Sequence, residues 1–480
     1  MTIQPSLRFL TATAGASLLL ASCAVGPKAP DATLPPSASG AFIGTASPAV
    51  STSSARDDWW RLYNDPVLDG LVGEALANNN ELEAAAANLR RVRAALGEAR
   101  VGRFPTTTTS AGYTTSRPSA ATLTPGTLPP GENAPDVDTY TAGLDVSYEV
   151  DLFGRVESTI RAARADAAAA EAALDIVRVT VAAETARAYA DACSANASIA
   201  VAERTLELQT RTVELTQRLL DAGSGNGLDV ARARSTLETT RAAIAPLRAQ
   251  REGAVFRLAT LTGRTPAESS EAARACQAPP QLSQPIPVGD GAALLARRPD
   301  VRQAERNLAA AAARVNVATA DLFPRITLGG SAGATALDAD GLADSENFRF
   351  SVGPLISWSF PNVFAARARI EQASAGSDAA LATFDQTVLV ALQETETALT
   401  NYANELDRRT ALREARDEAA RAVRLTQLRF DAGADSLFNL IDAQRTLAAA
   451  DAQLAASNAQ VTTYQIALFK ALAGGWVNEG

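Results

Sequence analysis

Two periods of hydrophobicity alternate along this chain. Residues 155–220 contain neither proline nor glycine, and alanine, arginine, glutamate and leucine dominate them, a composition of strong helix formers. Val201, Leu208 and Leu215 form one set at seven-residue spacing, and Leu206, Val213 and Leu220 form a second. A repeat of seven is the seam of a coiled coil. The spacing therefore predicts one helix from Arg155 to about Leu220, on the order of 100 Å long at the usual rise per residue. Phe364 to Phe430 repeats the pattern, with an interruption expected at Gly376. No soluble globular core is that long. The abundant alanine lets such helices pack side by side as a shell.

The second period is two. Leu144, Val146, Tyr148, Val150 and Leu152 alternate with Asp145, Ser147, Glu149 and Asp151. Phe348, Phe350, Val352, Ile356, Trp358 and Phe360 alternate with Arg349, Ser351, Ser357 and Ser359, and Ile326 and Leu328 begin another such run. Apolar-out, polar-in alternation over roughly ten residues, with aromatic residues near the ends, is the signature of a transmembrane β-strand. For any single segment a half-buried sheet in a soluble domain competes. On the membrane reading, Asp145, Glu149 and Asp151 make an acidic lumen that favours cations. Four strands cannot close a barrel, and open edges in lipid leave backbone groups unpaired. The chain must then oligomerise to reach at least about eight strands.

These elements occur twice. Leu76 to Pro105 is echoed from Leu295 to Pro324, including Asn88/Asn307, Leu89/Leu308 and the pair Phe104-Pro105/Phe323-Pro324. Val150, Leu152 and Gly154 align with Trp358, Phe360 and Asn362, and Asp221-Ala222-Gly223 aligns with Asp431-Ala432-Gly433. Three collinear matches indicate a duplicated unit. The expected organisation is a signal peptide over 1–22, an N-terminal segment over 23–64 and a first repeat over 65–262 with its strand pair at about 106–153. A Pro-rich linker over 263–290 leads to a second repeat over 291–473 with strands at about 325–360, and 474–480 form a tail. The shorter helices are expected at about Asp65 to Arg103, Leu228 to Leu261 with a kink at Pro246, Gly291 to Leu322, and Ser436 to Ala473.

Composition narrows the function. The chain has 480 residues, 44 basic and 53 acidic, and no histidine. A net charge of −9 argues against a nucleic-acid partner, since phosphate binding needs a basic face. Without imidazole, serine or cysteine triads that depend on it are excluded. No carboxylate pair has a spacing tied to a pocket and no phosphate-cradling glycine loop appears, so neither an enzyme nor a cofactor is expected. Arg8 precedes an apolar run from Phe9 to Ala21 that ends in Leu20-Ala21-Ser22-Cys23. The run is too short to span a membrane but suits a signal peptide. Leu-Ala-Ser-Cys resembles a bacterial lipobox, which makes Cys23 the expected acylated first residue, with a plain secretory signal as the alternative. Ala24 favours the outer membrane. Two cysteines remain, Cys193 and Cys276. An even pair in an oxidising compartment suggests one disulfide; two unpaired thiols are the other possibility.

Several motifs carry a resemblance. Arg297-Arg298-Pro299-Asp300-Val301 with Ala304-Glu305, Asp321-Leu322-Phe323-Pro324, Glu149-Val150-Asp151-Leu152-Phe153-Gly154-Arg155, Leu440-Ile441-Asp442-Ala443-Gln444-Arg445 and Ala471-Leu472-Ala473-Gly474-Gly475-Trp476 together resemble TolC-type outer-membrane efflux factors, in their NodT-like lipoprotein branch. The resemblance covers nearly the whole mature chain. It implies a mainly α fold with β, a homotrimer whose strands form a twelve-stranded transmembrane β-barrel, a long periplasmic α-helical barrel below it and a mixed equatorial belt. It also implies a periplasmic membrane-fusion adaptor and an inner-membrane pump, of RND type, as partners, and passive export of small toxic compounds. A duct for type I polypeptide secretion and a structural envelope lipoprotein without a pore are the competing readings.

Both long helices end in Asp-Ala-Gly, where Gly223 and Gly433 suit left-handed C-caps and mark helix-tip turns for adaptor contact. Asp435 or Ser436 can cap the next helix. Phe438 and Asp442 stand four apart on one helical face. Periodicity alone also permits a core Phe438 and an Asp442 paired with Arg445. The resemblance places Phe438, Asp442 and Asp435 at the periplasmic gate. The first repeat has Leu228 and Arg232 at the matching positions, so Arg232 is the candidate tethering cation.

Overall fold

The computed structural model describes residues 26–28, 30, 33–34, 36–46, 48–119, 129, 132–282, 284–360 and 363–472. The expected signal peptide, Cys23 and the 474–480 tail fall outside these residues. In chain order the main elements are β1 (Val50–Ser51), α1 (Pro66–Asn78), α2 (Asn80–Val101), β2 (Thr106–Ser116), β3 (Val137–Val150), α3 (Arg155–Asp221) and α4 (Gly227–Leu261). They are followed by β4 (Ile286–Pro287), α5 (Gly291–Arg297), α6 (Pro299–Ala320), β5 (Arg325–Ala336), β6 (Phe348–Ser357), α7 (Val363–Asp431) and α8 (Leu437–Leu472). The duplication is visible in element length. Helices α3 and α7 have 67 and 69 residues, α4 and α8 have 35 and 36, and α2 and α6 have 22 each.

Several boundaries differ from the sequence expectation. The helix anticipated over 65–103 is two helices, because Asn79 turns extended and caps the second: its Oδ1 accepts from the Glu81 and Leu82 amides at 2.9 and 3.2 Å. The helix anticipated over 291–322 also divides, at Arg298, which precedes Pro299 and is extended. Proline disfavours the helical conformation in the residue before it. Helix α7 runs without a break through Gly376, since neighbouring turns supply what one glycine withholds. Helix α4 continues through Pro246.

The chain divides into two compact units, one built from residues up to 31, 90–169 and 305–383, the other from 32–89, 170–304 and 384–480. The first holds the principal sheet, in the order β2-β3-β5-β6 and antiparallel throughout. The register aligns Thr109, Leu144, Ala332 and Phe350 on one face, and Thr108, Asp145, Ser331 and Ser351 on the other. Period-two alternation therefore becomes one apolar and one polar face. Leu355, opposite Thr327, and Val137, opposite Ser116, are apolar residues on the polar face. Within this unit Leu96, Val156, Ile160 and Ala167 bury together, and Phe153 stacks on Phe323 at 4.6 Å.

The second unit has the larger core. Trp59 stacks on Phe469 with ring centroids 4.8 Å apart and meets Trp60 edge-on at 5.9 Å. Leu68, Val72, Tyr189, Leu258, Ile286, Leu468 and Leu472 bury with them. Strand β1 pairs with β4 in parallel, which fixes the linker to the N-terminal segment. Cys193 and Cys276 form a disulfide across 83 residues of sequence. Asn196 supports that junction by donating its amide to the carbonyls of Arg274 and Cys276 at 2.9 and 2.7 Å.

Along the lower part of α3, the predicted leucine seams are only half-buried in the single chain. Gln209, Thr212 and Thr216 are the buried positions. Over residues 201–220 the deep stripe of this helix is polar, a feature that a seven-residue apolar repeat does not announce.

Candidate functional site

The two Asp-Ala-Gly turns have the same local architecture. Gly223 and Gly433 adopt φ of 71° and 70°, a region that glycine enters without the Cβ penalty. The amide of Gly223 reaches the carbonyl of Leu220 at 3.0 Å, and that of Gly433 reaches Phe430 at 2.9 Å. Gln217 donates to Asp221 and Gln427 donates to Asp431, each at 2.9 Å. Asn226 caps α4 through the Asp229 amide, and Ser436 caps α8 by accepting from the Asn439 amide at 3.3 Å.

From this turn α8 begins with two distinct faces. Leu437, Leu440 and Ile441 bury with Ala233 of α4, and Val213 of α3 and Phe430 of α7 complete a small cluster, while Gln444 is buried against Thr212 of α3. Phe438, Asp442 and Arg445 lie one turn apart on the exposed side. Phe438 is 56 % exposed, so it is not a core residue of the single chain. The Arg232 guanidinium lies 5.5 Å from the centre of its ring, within cation–π range. Among the described residues Asp442 has no ion-pair partner within 4.0 Å, Arg445 included. Gln209, Arg232, Phe438, Ile441, Asp442 and Arg445 line a cavity of about 370 Å³ here.

Asp435 differs from Asp442. It accepts from the Ser436 amide at 2.8 Å and from Asn439 Nδ2 at 2.6 Å, and Arg429 Nε lies 3.2 Å away. The Asn439 hydrogen bond, the Ser436 amide and the Arg429 charge hold its carboxyl below the usual carboxylate range. The structure therefore places Asp435 as an anchor of the turn rather than as a free carboxylate of the gate set.

The acidic set expected on the sheet is also redistributed. Asp145 is exposed on the polar face. Glu149 is engaged by Arg155, whose Nε donates to it at 2.8 Å. Asp151 lies beyond the end of β3 and accepts the amides of Val156 and Glu157 at 3.1 and 2.8 Å, capping α3. The strand-to-helix turn needs that cap because the first amides of a helix have no internal acceptors. Of the three carboxylates, Asp145 alone stands on a strand without a local structural task.

A further polar centre, Arg298, carries no role in the sequence reading although its motif does. Its guanidinium is buried, donating to Asp300 at 2.9 and 2.7 Å, to Glu394 at 2.7 Å and to the Ala471 carbonyl at 3.1 Å. Burial works to lower its pKa, but the bonds to Asp300 and Glu394 outweigh it and raise the pKa above the ordinary value. One side chain thus joins the start of α6 to α7 and to the end of α8. The signal in the sequence is an arginine before a proline with an aspartate two residues on. Nothing local points to Glu394. Among the described residues, no group of three His, Cys, Asp or Glu side chains could hold a metal ion, and no helix is long and apolar enough to cross a membrane.

The sequence profile of the outer membrane efflux protein family matches residues 71–264 and 292–474, the two repeats in turn. The chain belongs to this family. It is 30 % identical over 476 residues to the solvent efflux pump outer membrane protein SrpC of Pseudomonas putida, covering 98 % of this chain and 99 % of that one. It is 31 % identical to the pyoverdine export outer membrane protein OpmQ of Pseudomonas aeruginosa, covering 97 % and 96 %. Among solved structures, the outer-membrane channel OprN matches with a TM-score of 0.87 at 36 % identity, covering 95 % of this chain and all of that one. The open state of the Neisseria gonorrhoeae MtrE outer membrane channel matches at 0.81 and 27 % identity, covering 94 % and 98 %. The TolC-like fold, mainly α with β, the outer-membrane location and the role in efflux follow from these likenesses. The family is one of channel-type efflux proteins rather than enzymes.

Proposed function

We propose that three copies of this efflux protein assemble into one passive duct, which receives small toxic compounds from an inner-membrane pump of RND type through a periplasmic adaptor. The observation that carries this reading is the four-stranded sheet. Strands β2 and β6 each have one unpaired edge, and one face of the sheet is apolar. In lipid, unpaired backbone groups cost several kcal/mol each, so edge pairing between copies and membrane spanning are one event. Three copies supply twelve strands, with β6 of one beside β2 of the next. Phe348, Phe350, Val352 and Ile356 then face lipid, and Asp145 faces water in the lumen.

An acylated Cys23 anchors the N-terminal segment in the same membrane. The Asp-Ala-Gly turns at Gly223 and Gly433 meet the adaptor. Phe438 and Asp442, repeated by symmetry, form an apolar ring and an acidic ring that close the aperture, with Arg232 tethering Phe438 through its ring face. No step consumes energy in this chain; the pump supplies it.

The test is reconstitution of the detergent-solubilised protein. The expected result is a trimer by native mass measurement and a cation-preferring conductance in a planar bilayer, reduced in selectivity by Asp145→Asn. A stable monomer with no conductance refutes the duct, and a clear anion preference refutes the placement of Asp145 in the lumen.

A further inference from the structure

The polar face of the principal sheet carries one cation without a partner. Strands β2, β3, β5 and β6 contain two arginines, Arg325 and Arg349, and no lysine. Arg325 is paired with Asp321 at 2.7 Å. Arg349 is exposed and makes no ion pair or hydrogen bond among the described residues. The register puts it opposite Gly333, which pairs in turn with Gly143, and that with Ser110. This row is two residues from the row of Asp145, Ser331 and Ser351 on the same face, about 7 Å along the strands. Of the other strand carboxylates, Glu149 is taken by Arg155, and Asp138 accepts from Tyr113 at 3.0 Å on the apolar face. Asp145 and Arg349 are therefore the two unengaged charges of the polar face.

Strand β6 is an edge of the sheet, so a missing partner would have to come from a second copy. On the duct reading the strand beside β6 is β2 of the next copy, and Thr106–Ser116 contains no charged residue. Edge pairing therefore leaves Arg349 uncompensated. Its side chain stands on the face opposite Phe348 and Phe350, away from lipid, where a charge is unfavourable. At its own level Gly333 and Gly143 present no side chain, which leaves the guanidinium open to water across the face.

We infer that Arg349 sets the charge selectivity of the barrel lumen, an inference that rests on the duct reading given above. Three copies form a ring of guanidinium groups about 7 Å from the Asp145 ring, on the side of the β5–β6 connection. That connection carries Asp338, Asp340, Asp344 and Glu346, so the cationic ring lies between two acidic zones. A guanidinium takes a carboxylate through two parallel N–H donors. The ring thus admits compounds that bear a carboxylate, zwitterions included, to a lumen that otherwise favours cations. It moderates the cation preference without reversing it, as lumen side chains do in such barrels.

One measurement locates the side chain. Full-length protein in lipid vesicles, carrying Arg349→Cys or Phe350→Cys, is treated with a membrane-impermeant sulfonate thiol reagent, with the parent protein as background. Arg349→Cys is expected to be labelled and Phe350→Cys to be protected. A protected Arg349→Cys overturns the inference while the duct stands. Labelling at both positions shows that the sheet does not sit in lipid and removes the duct reading together with the inference. A second measurement reads selectivity, as the reversal potential across a planar bilayer under a gradient of potassium chloride and then of potassium acetate. At about 0.1 M salt, where screening acts over about 10 Å, Arg349→Gln is expected to raise the potassium-to-anion permeability ratio about threefold, and Arg349→Glu further. At about 1 M, where screening acts over about 3 Å, the difference is expected to shrink toward none. Arg349→Lys is expected to keep the parent ratio for chloride. A low-salt ratio unaltered by Arg349→Gln and Arg349→Glu, or altered as much by Arg349→Lys, overturns the inference.

Discussion

Asp435 and Asp442 are the same residue type seven positions apart, and their surroundings separate them. Asp442 is exposed with no ion pair among the described residues, whereas Asp435 is tied to Ser436, Asn439 and Arg429. Two expectations follow. Asp442→Ala removes charge from the proposed ring without disturbing the turn, so the assembled channel should conduct more and admit bulky antibiotics; unchanged permeability in a correctly formed trimer contradicts the gate. Asp435 has a depressed folded pKa, so its contribution is present above the ordinary carboxylate range and is lost as pH falls through the folded value. A nitroxide at Ala434→Cys should become more mobile on acidification, and Asp435→Asn should abolish that dependence. The turn glycines and the shared face of Phe438 and Asp442 were legible from spacing, but the exposure of that face was not, since periodicity alone equally permits a core Phe438 and an Asp442 paired with Arg445. The different tasks of the two aspartates were not, because partners such as Arg429 and Asn439 are chosen by the turn's geometry.

At the scale of elements, the long helices and strands were readable because each keeps one period over many residues. Helix α3 needs no cap or tertiary contact to be recognised. The breaks at Asn79 and Arg298 were missed, since both sit within otherwise helical runs and are fixed by what the extended residue can then reach. Asn79 donates to the Leu261 carbonyl at 2.9 Å, and Arg298 reaches Glu394 and Ala471. The tryptophans of the N-terminal segment likewise gain their meaning from a distant element. Trp59 and Phe469 are both nearly fully buried and stacked. Phe469→Ala should therefore cost about 3–5 kcal/mol through lost burial and the cavity left behind. A thermal or denaturant midpoint close to that of the parent protein would show that the site collapses around the deletion.

For the whole molecule, the decisive fact is a sheet with two open edges in a chain of the outer membrane efflux protein family. Val352 is 84 % exposed on the apolar face. If that face meets lipid, Val352→Arg should disfavour insertion by about 2–4 kcal/mol near the bilayer midplane, read as loss of folded trimer in vesicles while the same substitution is tolerated in detergent. Equal folding in both media removes the face from lipid. The conversion of four strands into a closed wall is the step at which one chain's information is insufficient by itself and a second copy supplies the missing hydrogen bonds.

The sequence by itself determined the duplicated order of elements, the two periods, the turn positions and the family, because these depend on local propensity and on repetition along the chain. Tertiary structure decided which polar groups are free and which are occupied: Asp151 became a helix cap, Glu149 a partner of Arg155, Arg298 a buried junction, and Gln444 a buried partner of Thr212. The physical reason is that a period fixes which face a side chain is on, whereas its hydrogen-bond partner is fixed by the backbone that happens to lie within about 3 Å. That distance is set only when elements far apart in sequence have packed.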